Sequence, residues 1–137
     1  MIRRVITALA MLCAALAFNP VAQADTNENL GFMNWDAEAA QAAIDNGEWV
    51  IVNGWATWCP LCKAQRRALN GLLSSDPKGY ADVKVFSIDT DWSDAPDAIG
   101  DNPLRKTILV FYGDGEEIEV YQGRDAEQMA SILSMAE

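Results

Sequence analysis

Apolar and polar positions along the chain predict four short strands. The runs Trp49 to Trp55 and Val83 to Ile88 are short and mostly apolar, which is typical of buried strands. A third strand is predicted at Thr107 to Tyr112. The segment Glu117 to Tyr121 alternates polar and apolar residues with a period of two, as expected for a strand with one solvated face. Because Gly113-Asp114-Gly115 separates the last two strands, they are predicted to form an antiparallel hairpin.

Three other segments have the periodicity and the boundary residues of helices. The first runs from about Asp36 to Asn46, with Asp36 or Asn34 as its N-cap and Gly47 as its stop. The second runs from Pro60 to Ser74, where a polar Ser-Asp-Pro sequence ends it. Asp125 is expected to cap the third helix, close to the end of the chain.

The order of these elements predicts an α/β fold. Two early strands separated by a helix suggest a parallel pair, and the hairpin adds antiparallel strands, so we expect a mixed central sheet with helices on both faces. On the second helix, the expected buried face consists of Leu61, Ala64, Ala68, Leu69 and Leu72, and the expected solvent face of Lys63, Arg66, Arg67 and Asn70. The expected inward face of the third helix consists of Met129, Ile132, Leu133 and Ala136.

The N-terminal residues have the three-part layout of a secretory signal peptide. Arg3 and Arg4 precede the almost unbroken apolar run Val5 to Phe18, and the small-residue pattern Ala22-Gln23-Ala24 follows. A membrane anchor is the alternative, but the run is shorter than the ~20 apolar residues of a spanning helix. We therefore expect cleavage after Ala24 and a periplasmic or secreted protein. The expected organisation is a signal peptide at 1–24, a loose segment at 25–33 and one domain at 34–137.

Composition narrows the possible functions. The 137 residues include 20 Asp and Glu against 10 Lys and Arg, a net charge of −10, which argues against nucleic acid as a partner. The chain has no His, which removes histidine acid–base chemistry and most transition-metal sites. Of its three Cys, Cys13 lies in the expected signal peptide, and too few remain for a disulfide scaffold. An acidic connection at 89–102 is expected to be a solvated loop, with calcium binding as a weaker alternative.

The most informative motif is Trp58-Cys59-Pro60-Leu61-Cys62, located where a predicted strand gives way to a helix. Pro60 suits the first helical position, so Cys59 is expected at the helix N-terminus, where unpaired N–H groups and the helix dipole favour a thiolate. Cys62 lies one turn further on, close enough to form a disulfide. This places Cys59 at the exposed mouth as the attacking thiol and Cys62 deeper as the resolving thiol.

Three other interpretations of the two cysteines stay open. The first is half of a zinc site, but the chain offers no second pair and no His. The second is a purely structural disulfide, although so short a loop restricts little of the unfolded chain. The third is a pair of inert thiols in a binding module. A redox-active pair is the interpretation that the spacing and the helix N-terminus favour.

The segment from Val50 to Cys62 and the motif Trp55-Ala56-Thr57-Trp58-Cys59-Pro60 resemble the thioredoxin family, and in particular its periplasmic reductases. The resemblance extends over 34–137 and implies a thioredoxin fold with Cys59 nucleophilic and Cys62 resolving. It also marks Trp58, Pro60, Leu61 and Gly123 as positions that tune the pair or meet the substrate. Trp55 and Trp92 are further candidates for the walls of the site.

The chain departs from the family pattern at three positions. Where the family has a buried Asp and a facing Lys, this chain has Asn53 and Val85, so no carboxylate is available as a base for Cys62. Where the family has a cis-proline, this chain has Lys106. We expect the Arg105–Lys106 bond to be trans, because a non-proline cis bond costs about 3 kcal/mol. Lys106 either faces solvent or brings a cation towards the cysteine pair and lowers its thiol pKa.

The sequence therefore predicts an exported thiol–disulfide oxidoreductase acting through Cys59 and Cys62. Reduction of protein disulfides is favoured over oxidation, because Leu61 offers no charge that would stabilise a thiolate. The resemblance implies a membrane protein as electron donor. No cofactor, metal or nucleic acid is expected. A thiol oxidase of exported proteins and a non-catalytic binding module of the same fold are the alternatives.

Overall fold

The computed structural model describes residues 31–88 and 107–136. The elements in chain order are β1 (Phe32–Asn34), α1 (Ala37–Asp45), β2 (Val50–Gly54), α2 (Pro60–Ser75), β3 (Lys84–Ile88), β4 (Ile108–Gly113), β5 (Glu116–Tyr121) and α3 (Ala126–Leu133), followed by a short 3₁₀ helix (Ser134–Ala136). The four predicted strands and the first two predicted helices are thus confirmed within one or two residues at each end, and α3 begins directly after its predicted cap, Asp125. Ala136, predicted on the inward face of this helix, lies beyond its end and is not buried.

Short polar side chains and glycines set the helix boundaries. The Asp36 carboxylate accepts the backbone N–H of Ala39 at 3.0 Å and caps α1, and Asp125 caps α3 in the same way. Gly47 follows α1 with a φ of +73°, a conformation that costs a glycine little. Local chemistry is therefore sufficient to place these helix ends.

The five strands form one mixed sheet in the order β1-β3-β2-β4-β5. Strand β3 pairs in parallel with both β1 and β2, whereas β4 is antiparallel to β2 and to β5. Asp114 and Gly115, with φ values of 53° and 83°, make the two-residue turn of the β4–β5 hairpin. The predicted mixed sheet is confirmed. The edge strand β1 was not predicted, and it begins inside the segment 25–33 that we expect to be loose.

Alternating residues of the strands build two cores, one on each face of the sheet. Val50 and Val52 of β2 pack with Phe86 and with α1, and we call this side the α1 face. Ile51 and Leu109 point to the opposite side and pack with α2 and α3, and we call this side the α2 face. Helices therefore cover both faces, as predicted.

The buried face of α2 differs from the predicted one. Leu61 is 59% exposed, although its apolar side chain suggested burial, and Arg66 is only 5% exposed, although its charge suggested solvent. The buried residues are Cys62, Gln65, Arg66, Leu69 and Leu72. The N-terminal part of α2 thus buries a different face from the one that its apolar periodicity predicts, and the buried Arg66 guanidinium lies over the rings of Phe32 and Trp55.

Several sequence expectations fall outside the described residues: the signal peptide, the acidic connection at 89–102, Trp92, Lys106 and the Arg105–Lys106 bond. Within the described ranges, every helix is too short or too polar to cross a membrane.

Candidate active site

Cys59 and Cys62 form a disulfide at the N-terminus of α2, with their Cα atoms 5.3 Å apart. Cys59 is the N-cap residue and is 7% exposed, whereas Cys62 is fully buried. Pro60 occupies the start of the helix between them. Access from solvent is therefore greater for the sulfur of Cys59 than for that of Cys62.

Backbone hydrogen bonds fix the turn that carries Cys59. The N–H of Trp55 donates to the carbonyl of Ile88 at 3.0 Å, which ties the end of β2 to β3. The N–H of Cys59 donates to the carbonyl of Ala56 at 3.1 Å. The N–H of Cys62 donates to the Cys59 sulfur at 3.2 Å, as in a helix cap. The Cys59 sulfur thus lies in the field of a helix N-terminus and accepts one of its backbone donors.

Exposed apolar side chains surround the cysteine pair. Trp58 precedes Cys59 and is 67% exposed, and Leu61 precedes Cys62 and is exposed too. Pro60, between the cysteines, is also exposed. These three residues give the site an apolar rim of the kind that contacts partner proteins.

Two amide side chains lie beneath the site. Asn53, fully buried near the end of β2, directs its Nδ2 towards the Oε1 of Gln65 at 3.5 Å. Gln65, 1% exposed, donates from Nε2 to the carbonyl of Thr107 at 3.0 Å and to that of Gly123 at 2.8 Å. Among the described residues, the Asn53 Oδ1 atom has no hydrogen-bond partner. Val85 lies in the apolar core of the α2 face and pairs with Ile51, so the residue opposite Asn53 on β3 is Ser87 and not Val85 as predicted.

Gln65 and Arg66 are the two residues of this region that sequence reasoning missed. Gln65 is the third residue after Cys62 and Arg66 the fourth, and residues at these spacings lie on the same face of a helix. The Arg66 guanidinium carbon lies 3.8 Å from the centroid of the Trp55 ring and 4.8 Å from that of Phe32. Their spacing from Cys62 was the signal that could have indicated burial, but their polar side chains favoured exposure to solvent.

Gly123 packs against the last residue of β5. A Cβ atom at this position would collide with the Oη and Cζ atoms of Tyr121, so the close approach requires glycine. The Tyr121 hydroxyl in turn accepts the backbone N–H of Asp125 at 3.1 Å. The structure thus gives Gly123 a packing role and a carbonyl that faces Gln65.

The arrangement suits thiol–disulfide exchange. Cys59, at the helix N-terminus, is the more exposed of the two residues, so a substrate thiol or disulfide is expected to react at its sulfur and not at that of the fully buried Cys62. The amides of Asn53 and Gln65 do not titrate near neutral pH. Within the described ranges, no group of three or more Cys, His, Asp or Glu is arranged to hold a metal ion.

Comparisons with known proteins agree with this geometry. The chain is 38% identical over 53 residues to the thiol:disulfide interchange protein DsbE of Tatumella citrea. The match covers 36% of this chain and 29% of that protein, so the chain matches less than a third of its relative's length. No protein-family model matches the chain.

Solved structures identify the fold. The crystal structure of Trxlp from Edwardsiella tarda matches with a TM-score of 0.63 and 24% identity, covering 74% of this chain and 97% of that one. Oxidized thioredoxin O2 of Arabidopsis thaliana matches with a TM-score of 0.55 and 22% identity, covering 78% and 96% of the two chains. The chain therefore has the thioredoxin fold. Its CxxC disulfide lies at the start of α2, in the arrangement of a thioredoxin-like oxidoreductase site.

Proposed function

We propose that this protein is an exported thiol–disulfide oxidoreductase that reduces protein disulfides through Cys59 and Cys62. The observation that carries the proposal is the asymmetry of the pair: Cys59 is 7% exposed at the helix N-terminus, whereas Cys62 is fully buried one turn further on. A partial match to a thiol:disulfide interchange protein supports the same chemistry.

Two exchanges make up the proposed reaction. In the reduced protein, the Cys59 thiolate attacks one sulfur of a substrate disulfide, forms a mixed disulfide and releases the other substrate sulfur as a thiolate. Cys62 then loses its proton and attacks the Cys59 sulfur, which releases the second substrate thiolate. Both substrate thiolates take up protons. Two electrons have passed to the substrate, and the Cys59–Cys62 disulfide is closed.

Cys59 is suited to be the attacking thiol. The N–H of Cys62 that reaches its sulfur would also hydrogen-bond a thiolate there, and the helix dipole stabilises the same negative charge. Asn53 cannot accept the proton of Cys62, because its side chain is an amide. Water or a sulfur at the site is the acceptor in this proposal.

Reduction is the proposed direction, with oxidation as the alternative. Leu61, between the cysteines, is uncharged and does not stabilise a thiolate, so it does not stabilise the reduced state that would make the pair an oxidant. Export is proposed from the signal-like residues 1–24. An exported reductant needs electrons from elsewhere, so a membrane protein is the proposed donor.

Reduction of insulin by dithiothreitol tests the proposed activity. The mature chain should accelerate it, and Cys59→Ser should return the rate to background. Cys62→Ser should instead accumulate a mixed disulfide with the substrate, since resolution is lost. A wild-type rate equal to background would favour a non-catalytic binding module of the same fold.

A further inference from the structure

The side-chain amide of Gln65 joins three separate segments of the chain at the cysteine pair. It approaches Asn53 at the end of β2, and it donates to the carbonyls of Thr107 before β4 and Gly123 after β5. We propose that Gln65 is a positioning residue that holds these two backbone segments in place for a protein substrate. This inference rests on the function proposed above.

The strand register shows why a side chain is needed here. Leu109 pairs with Tyr121 at the end of the β4–β5 ladder, so Ile108 and Gln122 follow, and Thr107 and Gly123 lie one position beyond them. The ladder does not continue to them. Both of their carbonyls accept instead from the one Nε2 group of Gln65, which therefore links the two chains where the sheet ends.

This end of the sheet is the one that carries the cysteines. Gly54 pairs with Ile108 between β2 and β4, so Thr107 lies opposite Trp55, the residue that begins the turn to Cys59. Gln65 lies three residues after Cys62 on the same buried side of α2. A substrate chain with a sulfur at Cys59 would therefore meet the backbone that Gln65 holds.

An amide is the group that this position requires. Two carbonyl oxygens need two N–H donors, and a primary amide supplies both from one nitrogen. Methionine has a similar length and supplies none, which would leave two carbonyls without their donors. A carboxylate at this position would repel both carbonyl oxygens.

The test compares Gln65→Met and Gln65→Glu with wild type. Gln128→Met is the matched control, because Gln128 is an exposed glutamine of α3 that lies outside the two segments held by Gln65. The readouts are kcat and KM for insulin reduction, the rate of exchange with oxidised glutathione and the reduction potential of the pair. Insulin must dock on the protein, whereas glutathione needs little more than the Cys59 sulfur.

We expect Gln65→Met to raise KM for insulin about tenfold, and Gln65→Glu to raise it further, since unpaired carbonyls leave the docking backbone unfixed. The glutathione rate and the potential should stay at wild-type values, and Gln128→Met should change none of the readouts. An unchanged KM, or an equal loss with insulin and glutathione, would overturn the inference. A wild type that does not reduce insulin would instead refute the proposed function.

A second measurement uses the wild-type sequence at position 65, in case the variants do not fold. In Cys62→Ser trapped with a cysteine-containing peptide, the Gln65 side-chain amide protons should exchange slowly and shift relative to the free protein. Rapid exchange with no shift would contradict the positioning role.

Discussion

The two faces of the sheet bury different kinds of residue. On the α1 face, the buried cluster of α1, β2, β3 and β4 contains only apolar side chains. The α2 face has an apolar core as well, but the buried polar residues of the described chain, Asn53, Gln65 and Arg66, all belong to α2 or approach it, close to the cysteine pair. Buried polar groups cost free energy unless they are partnered. Because these polar residues lie beside the disulfide, we expect the α2 face to support the candidate site and the α1 face to contribute mainly to the stability of the fold.

The largest expected effect tests the α1 face. Phe86 is buried there and its ring meets that of Trp35 edge to face, so Phe86→Ala should lower the free energy of unfolding by about 3–5 kcal/mol. The reduction potential of the pair should not change, because this cluster does not touch the cysteines. Urea unfolding and a glutathione titration measure the two quantities. A shift in potential along with stability would contradict the separation of the faces.

A carboxyl group buried on the α2 face should lower the free energy of unfolding, and the size of this loss should depend on pH. In Asn53→Asp, burial raises the pKa of the new carboxyl above the unfolded value of about 3.9. The unfolded chain then loses its proton first, so stability falls as the pH rises between the two pKa values. We expect a loss of about 3 kcal/mol at pH 7 that disappears below about pH 4.

The control is Asn34→Asp, since Asn34 is an exposed asparagine in β1. Urea unfolding of both variants between pH 4 and 8 measures the difference. Equal, pH-independent stability of the two variants would mean that position 53 reaches water.

Two neighbouring arginines of α2 should differ in their contribution to stability, by less than the effects expected at Phe86 and Asn53. Arg66→Ala removes the cation that lies over the rings of Phe32 and Trp55, and it should destabilise the fold by about 2 kcal/mol. Arg67→Ala removes an exposed arginine of the same helix and should change stability by less than about 0.5 kcal/mol. Thermal unfolding compares the two, and similar losses would refute the structural role of Arg66.

Replacing glycine by alanine should have opposite effects on stability at two positions. Gly123→Ala places a Cβ against the Tyr121 ring and should cost about 1–2 kcal/mol. Gly71 lies in α2 with open space around the position of a Cβ, so Gly71→Ala should stabilise the protein by about 0.5–1 kcal/mol. Chemical denaturation measures both, and a stable Gly123→Ala variant would show that Tyr121 can move aside.

The sequence was sufficient for those parts of the fold that depend on neighbouring residues. Asp36, Asp125 and the Asp114-Gly115 turn act through their own backbone, and each was predicted. Strand β1 is three residues long and offers too few positions for a pattern. Its pairing with β3 depends on contacts distant in sequence, which no local window contains.

Within the candidate site, the cysteine pair and Asn53 were predictable from the sequence, whereas Gln65 and Arg66 were not. A CxxC spacing at a helix start has a chemical meaning of its own. Gln65 and Arg66 are polar, and residue type alone assigns them to solvent. Their burial follows from partners on other elements, the Thr107 and Gly123 carbonyls and the Phe32 and Trp55 rings.

The reduction potential of the Cys59–Cys62 pair, titrated in glutathione or dithiothreitol buffers, is the decisive measurement for the proposed function. We expect a reversible two-electron titration with a midpoint near that of thioredoxin, about −270 mV. A midpoint near −120 mV would make the protein an oxidant and contradict the proposed direction. A pair that never opens and closes reversibly would contradict the redox function itself.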